Sequence, residues 1–158
     1  VELILDGGRT QMGLESTIVG LTEGRPTLLR PGAIAREEIE AIVGALGVTA
    51  DSADAPHSPG RLKSHYAPAK HLRQNATTIG ADEALLAFGQ PMAGAKHTLN
   101  LSASGDLREA AANLFAMLRA LDRSDASAIA VMPVPVHGLG EAINDRLSRA
   151  AAAKEAVR

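Results

Sequence analysis

The clearest hydrophobic pattern in the chain begins near residue 106. Leu107, Ala110, Ala111, Leu114, Phe115, Leu118 and Leu121 recur at steps of three and four, the period that gathers side chains on one face of a helix. The spacing predicts a helix over 106–121. Asp106 with Glu109 three residues later forms the pattern of a capping box at its start. A second helix is predicted over 139–153, with Leu139, Ile143, Leu147 and Ala150 inward. Residues 84–88 (ALLAF), 98–101 and 128–132 (AIAVM) are short apolar runs without helical period. They read as buried strands. Strands alternating with helices predict an α/β unit built on a parallel sheet.

The first third of the chain has a different pattern. Residues 1–5 alternate loosely and stop at Asp6-Gly7-Gly8, residues 16–21 (STIVGL) are β-branched, and residues 27–30 (TLLR) stop at Pro31-Gly32. These predict three strands of one sheet, the last two joined by a hairpin loop over 23–26. A helix is predicted next, with Ile34, Ile39, Ile42, Val43 and Leu46 inward, and Arg36, Glu37, Glu38 and Glu40 outward. Ala35 is a poor N-cap for it, and Gly47 is the expected stop. From 49 to 68 all periodicity is lost in a polar stretch holding Pro56, Pro59 and Pro68, so the boundary between two units is placed there. The chain opens on Val1 in what reads as a strand already inside a fold, which predicts a fragment of a longer protein. No internal repeat is visible.

Composition narrows the classes. The chain has 158 residues, 46% of them hydrophobic and 22% charged, values ordinary for a globular protein. With two Phe, one Tyr and no Trp, the core must be built from Ala, Leu, Ile and Val in close contact. A net charge of −2 provides no long-range attraction to a polyanion. The absence of cysteine excludes disulfides, thiolate metal sites and thiol catalysis. No apolar run approaches the roughly 20 residues of a membrane-spanning helix. A cytoplasmic protein is expected.

Four groups of residues could carry chemistry. Ser16 and Thr17, in Gly13-Leu14-Glu15-Ser16-Thr17, offer small hydroxyls that can hold a carboxylate or phosphate oxygen. On chemistry alone, shaping a turn is the favoured reading. Arg30, at a strand end before Pro31-Gly32, could clamp a phosphate with two donors, or pair on the surface with Glu23, Glu37 or Glu38. The segment 58–68 (SPGRLKSHYAP) holds bases, hydroxyls, an imidazole and the sole tyrosine. It suits a lid or an ordinary solvated linker. His137-Gly138-Leu139-Gly140-Glu141 could cradle a phosphate, but two glycines are weak evidence and tight packing is favoured. The five histidines show no metal-ligand spacing, so no protein-built metal site is expected.

Taken in order, GLESTIV, LLRPG with an acidic helix, SPG…HYAP, NLF…LR.LD and GLGEAINDRL.RAA resemble the long form of the L-threonylcarbamoyladenylate synthase family. The resemblance covers nearly the whole chain. It implies the end of a YrdC-type α/β catalytic domain over 1–48, a linker or lid over 49–70, and a small Rossmann-like accessory domain over 71–158. It implies an enzyme that condenses L-threonine, bicarbonate and ATP, with Mg²⁺ on the triphosphate, into threonylcarbamoyl-AMP and pyrophosphate for the t6A modification of tRNA. Separate transfer proteins act downstream. Residue by residue, it implies that Ser16 binds threonine with Thr17 beside it, that Arg30 contacts the nucleotide, and that Ser58 and Tyr66 reach it from the linker. The family linker carries a second tyrosine where residues 61–64 here read RLKS. The family's ATP-holding Lys-x-Arg and Ser-x-Asn elements do not occur in this sequence, so inactivity of the chain alone is expected. Two other readings compete: a regulatory α/β domain sensing a nucleotide or metabolite near Gly138 and Gly140, and a docking module for tRNA or a partner.

Overall fold

A computed structural model describes residues 2–8, 10, 12–21, 24–48 and 67–152. The second half is organised by a four-stranded sheet of β4 (His71–Arg73), β5 (Glu83–Ala87), β6 (His97–Asn100) and β7 (Ala128–Val131) in the order β4-β7-β5-β6. All three pairings are parallel. The alternation of strands and helices therefore gives the parallel α/β arrangement that the pattern predicts. Ala84, Leu85, Leu86 and Ala87 of β5 are all fully buried. A strand covered on both faces needs this unbroken apolar run, and alternation would expose one face.

Helices α2 (Leu107–Asp122) and α3 (Leu139–Ala152) pack on each other, α2 against β5 and β6 and α3 against β4. The stripe read from the sequence is the face α2 buries, through Ala110, Ala111, Leu114, Leu118 and Leu121. Each of those leucines contributes about 1.5–3 kcal/mol by leaving water. The start of α2 differs in one detail from a capping box. The Asp106 carboxylate accepts from the amides of Arg108 at 2.7 Å and Glu109 at 2.9 Å, which holds it below the usual aspartate range. The returning bond is relayed: the Asp106 amide donates to Ser102 Oγ at 2.9 Å, and that hydroxyl donates to Glu109.

The first half departs from expectation in three places. Residues 2–8 belong to no strand, and Leu3, Ile4 and Leu5 are exposed. A strand needs an edge to pair with, and among the described residues β1 (Ile18–Gly20), β2 (Thr27–Arg30) and β3 (Gly47–Val48) pair with one another in the order β1-β2-β3. The third strand of this sheet thus follows the helix and runs parallel to β2. Helix α1 (Arg36–Val43) ends at Gly44, with φ of 79°, so Gly47 is a strand residue and not the helix stop. The predicted inward stripe of α1 is not buried: Ile42 is 85% exposed, and of the residues assigned to it only Leu46, beyond the helix, is buried. Ala35 caps nothing with its side chain, but Glu38 accepts from its amide at 3.2 Å. Strand β4 had no sequence signal, being three residues long with only Leu72 buried.

Candidate functional site

The geometry of the site begins with a glycine. A Cβ on Gly32 would lie 2.4 Å from Glu15 O, Ser16 C and Thr17 N, so only glycine lets the Pro31-Gly32 turn lie on the 15–17 backbone. Two hydrogen-bond systems lock that contact. The Ala33 amide donates to Glu15 O at 2.9 Å. The Thr17 hydroxyl donates to Ile34 O at 2.6 Å and accepts from the Ile34 amide at 3.0 Å.

Arg30 leaves the end of β2 beneath this turn and is only 7% exposed. Its Nη2 donates to Ser16 O at 2.7 Å and to Ser16 Oγ at 3.1 Å, and its Nε to Ser16 O at 3.2 Å. Two groups 14 residues apart in sequence therefore meet, and Ser16 as a residue is exposed while Arg30 is buried. Of the acids weighed as surface partners for Arg30, Glu37 accepts from the Gly138 amide and Glu38 from the Ala35 amide, and Glu23 lies outside the described residues. Thr17 shares the site, but its hydroxyl is spent on the backbone of Ile34. Ser58 and Tyr66 lie outside the described residues. The segment that carries them leaves β3 after Val48. The described chain resumes at Ala67, and Asp122 accepts from the amides of Ala69 at 3.1 Å and Lys70 at 2.9 Å.

The site is seated on α2 and α3. Gly13, with φ of 61°, approaches α2 so closely that a Cβ would lie 2.4 Å from Ala111 O. Arg146 of α3 is 1% exposed. Its Nε donates to Glu15 Oε2 at 2.9 Å, its Nη2 to Pro31 O at 3.1 Å, and its Nη1 to Asp145. Nearer the surface, Arg36 forms a two-point pair with Glu141, at 3.1 Å from Nε to Oε2 and 2.5 Å from Nη2 to Oε1. That bond raises the Arg36 pKa. The Gly138 amide donates to Glu37 Oε1 at 3.1 Å, and this is the first cause of the lowered Glu37 pKa.

The glycine turn before α3 is accordingly a packing device. Its Gly138 amide serves the protein's own carboxylate, and a Cβ on Gly140 would lie 1.9 Å from Pro135 O. Sequence reasoning assigned no role to Arg146, although a signal existed. It stands three residues after Ile143 and four before Ala150, on the predicted inward stripe of a helix, where a charge requires a partner. Two surface hollows, of about 330 Å³ beside Gly13 and Asn113 and about 240 Å³ beside Pro68 and Leu118, adjoin Phe115 and Arg119 of α2. Neither is lined by Ser16, Thr17 or Arg30. Among the described residues, no group of three or more His, Asp or Glu could hold a metal ion, and no helix is long and apolar enough to cross a membrane.

These features define an α/β protein in which a parallel-sheet unit holds a serine–arginine site formed by two turns. The chain belongs to the threonylcarbamoyl-AMP synthase C-terminal domain family, whose model matches residues 34–152. It is 34% identical over 167 residues to the threonylcarbamoyl-AMP synthase of Pyrococcus abyssi, covering 95% of this chain and 49% of that protein. It is 32% identical over 166 residues to the threonylcarbamoyl-AMP synthase of Bacillus subtilis, covering 94% and 48%. A solved structure of Pyrococcus abyssi Sua5 complexed with L-threonine superimposes with a TM-score of 0.82 at 30% identity, covering 94% of this chain and 49% of that one. The chain spans about half the length of the curated relatives it matches.

Proposed function

We propose that this chain is part of a threonylcarbamoyl-AMP synthase acting in the cytoplasm. The nitrogen of L-threonine attacks bicarbonate or its CO₂ to give a carbamate, with loss of water from bicarbonate. A carbamate oxygen then attacks the α-phosphate of ATP, accompanied by Mg²⁺ as part of that substrate, and pyrophosphate leaves. Downstream transfer proteins pass the threonylcarbamoyl group to tRNA. The chemistry asks for positioning and charge neutralisation and needs no protein nucleophile.

The observation that carries this reading is the meeting of Ser16 and Arg30, an exposed serine whose hydroxyl accepts from a buried guanidinium. Ser16 binds threonine, Thr17 holds the turn beside it, and Arg30 serves the nucleotide. Ser58 and Tyr66 complete the nucleotide contacts from the linker. Residues 1–48 form the end of the catalytic domain, 49–70 the lid and 71–158 the accessory domain. The complex of the Pyrococcus abyssi relative with L-threonine supports this assignment of substrate. The chain by itself is inactive, since its sequence holds neither Lys-x-Arg nor Ser-x-Asn.

The test is pyrophosphate release with threonine, bicarbonate and ATP. A gene product of the relatives' length that carries this chain is expected to release it only when all three are present, and Ser16→Ala to raise the KM for threonine. Absence of release from that product overturns the reaction, and release by the 158-residue chain alone overturns the division of labour.

A further inference from the structure

We propose that Arg146 is a positioning residue for this site, so that the accessory unit sets the geometry of threonine and nucleotide binding. The inference rests on the reaction proposed above and adds a residue to it. Arg146 touches the flank of each site residue. It bonds the side chain of Glu15, next to Ser16, at 2.9 Å and the carbonyl of Pro31, next to Arg30, at 3.1 Å. Arg30 in turn bonds Ser16. One rigid, planar, permanently charged group thus closes a ring that runs from Ser16 through Glu15, Arg146, Pro31 and Arg30 back to Ser16.

Burial gives the ring its stiffness. At 1% exposure the guanidinium has no water to turn to, so each bond it loses leaves a buried donor unmet. Asp145, its neighbour on α3, bonds both Arg146 and Arg149 and fixes the guanidinium from behind. The Arg36–Glu141 pair crosses the same junction nearer the surface, at 22% and 28% side-chain exposure. It is therefore the natural control for a role that is only structural.

The test compares Arg146→Met, Arg146→Lys, Glu15→Gln and Arg36→Ala in the relatives-length gene product, reading Tm, the kinetics for threonine, and amide exchange at residues 15–17. Arg146→Met is expected to raise the KM for threonine about tenfold or more, the scale on which small misplacements act, and to speed exchange at 15–17. Arg146→Lys should recover part of the loss, because an ammonium can reach Glu15 but cannot hold Pro31 at the same time. Glu15→Gln should act in the same direction and add little to Arg146→Met. Arg36→Ala should lower Tm and leave the threonine KM unchanged.

A folded Arg146→Met with KM within twofold of the parent overturns the proposal, as does an equal rise in KM from Arg36→Ala. Where Arg146→Met does not fold, Arg146→Lys and Glu15→Gln decide by the same criteria. Where the parent itself makes no threonylcarbamoyl-AMP, the reaction falls, and unchanged exchange at 15–17 in the variants would remove the positioning role separately.

Discussion

The two halves of this molecule hold themselves together by different means. Around the parallel sheet, β5 and α2 place Leu85, Leu86, Leu114 and Ala111 at full burial. Among the described residues, only Leu28, Ala35 and Leu46 of the first 48 are buried hydrophobics, while eight of the nine large exposed ones, from Leu3 to Val48, lie there. The second half has a core. The first half is held by contacts with its neighbour: a glycine on α2, a buried guanidinium, a surface ion pair and a carboxylate on an amide. A sheet of three short strands does not bury enough surface to repay its ordering entropy, so its geometry depends on the helices it rests on.

That contrast can be broken at graded cost. Leu114→Ala opens a cavity in the sheet-helix core and should lower stability by about 2–5 kcal/mol, read as a shift of the denaturation midpoint of the whole chain. Gly32→Ala forces a methyl against the 15–17 backbone and should cost about 1–3 kcal/mol. The loss should be seen as faster amide exchange around residues 15–17 and 31–34, with exchange in β5 and β7 unchanged.

Acid should act next. Glu83 accepts from Arg73 Nη2 at 2.7 Å and Nε at 3.3 Å, and this bond holds its carboxyl below the ordinary 4.5. A depressed folded pKa means that the stabilisation is complete above that ordinary value and is lost as pH falls through the lower folded one. Thermal melts below pH 4.5 should therefore decline, and Glu83→Gln should flatten the decline. Last, Ile42→Ser on the open face of α1 should change the stability of this chain by no more than about 0.5 kcal/mol. A larger loss would show that α1 buries this face after all.

Legibility in the sequence follows the same division. Helix α2 is readable because seven apolar residues keep one period, and five of them are buried against the sheet and α3 while Leu107 and Phe115 are half-buried. Helix α1 carries a similar signal in Ile39, Ile42 and Val43, yet buries none of its residues. Periodicity reports which face a helix would hide and is silent on whether a surface is there to receive it. The third strand of the first sheet was misplaced because its pairing is non-local, set by β2 across a helix. In the site, the meeting of Ser16 with Arg30 follows from a glycine contact between segments distant in sequence, which no spacing rule captures. Arg146 was legible as a charge on an apolar stripe, but its partner lies 131 residues away and local pattern does not reach that far.

That separation has a consequence for how the protein is made. A ribosome delivers Ser16 and Arg30 well before Arg146, the residue that seats them. Strand β4 likewise has no partner until β7 emerges. The binding turns must stay unseated until α3 emerges, and a nascent chain halted before α3 would display them without the geometry they need. Competence at this site thus waits on a segment made well after the turns themselves.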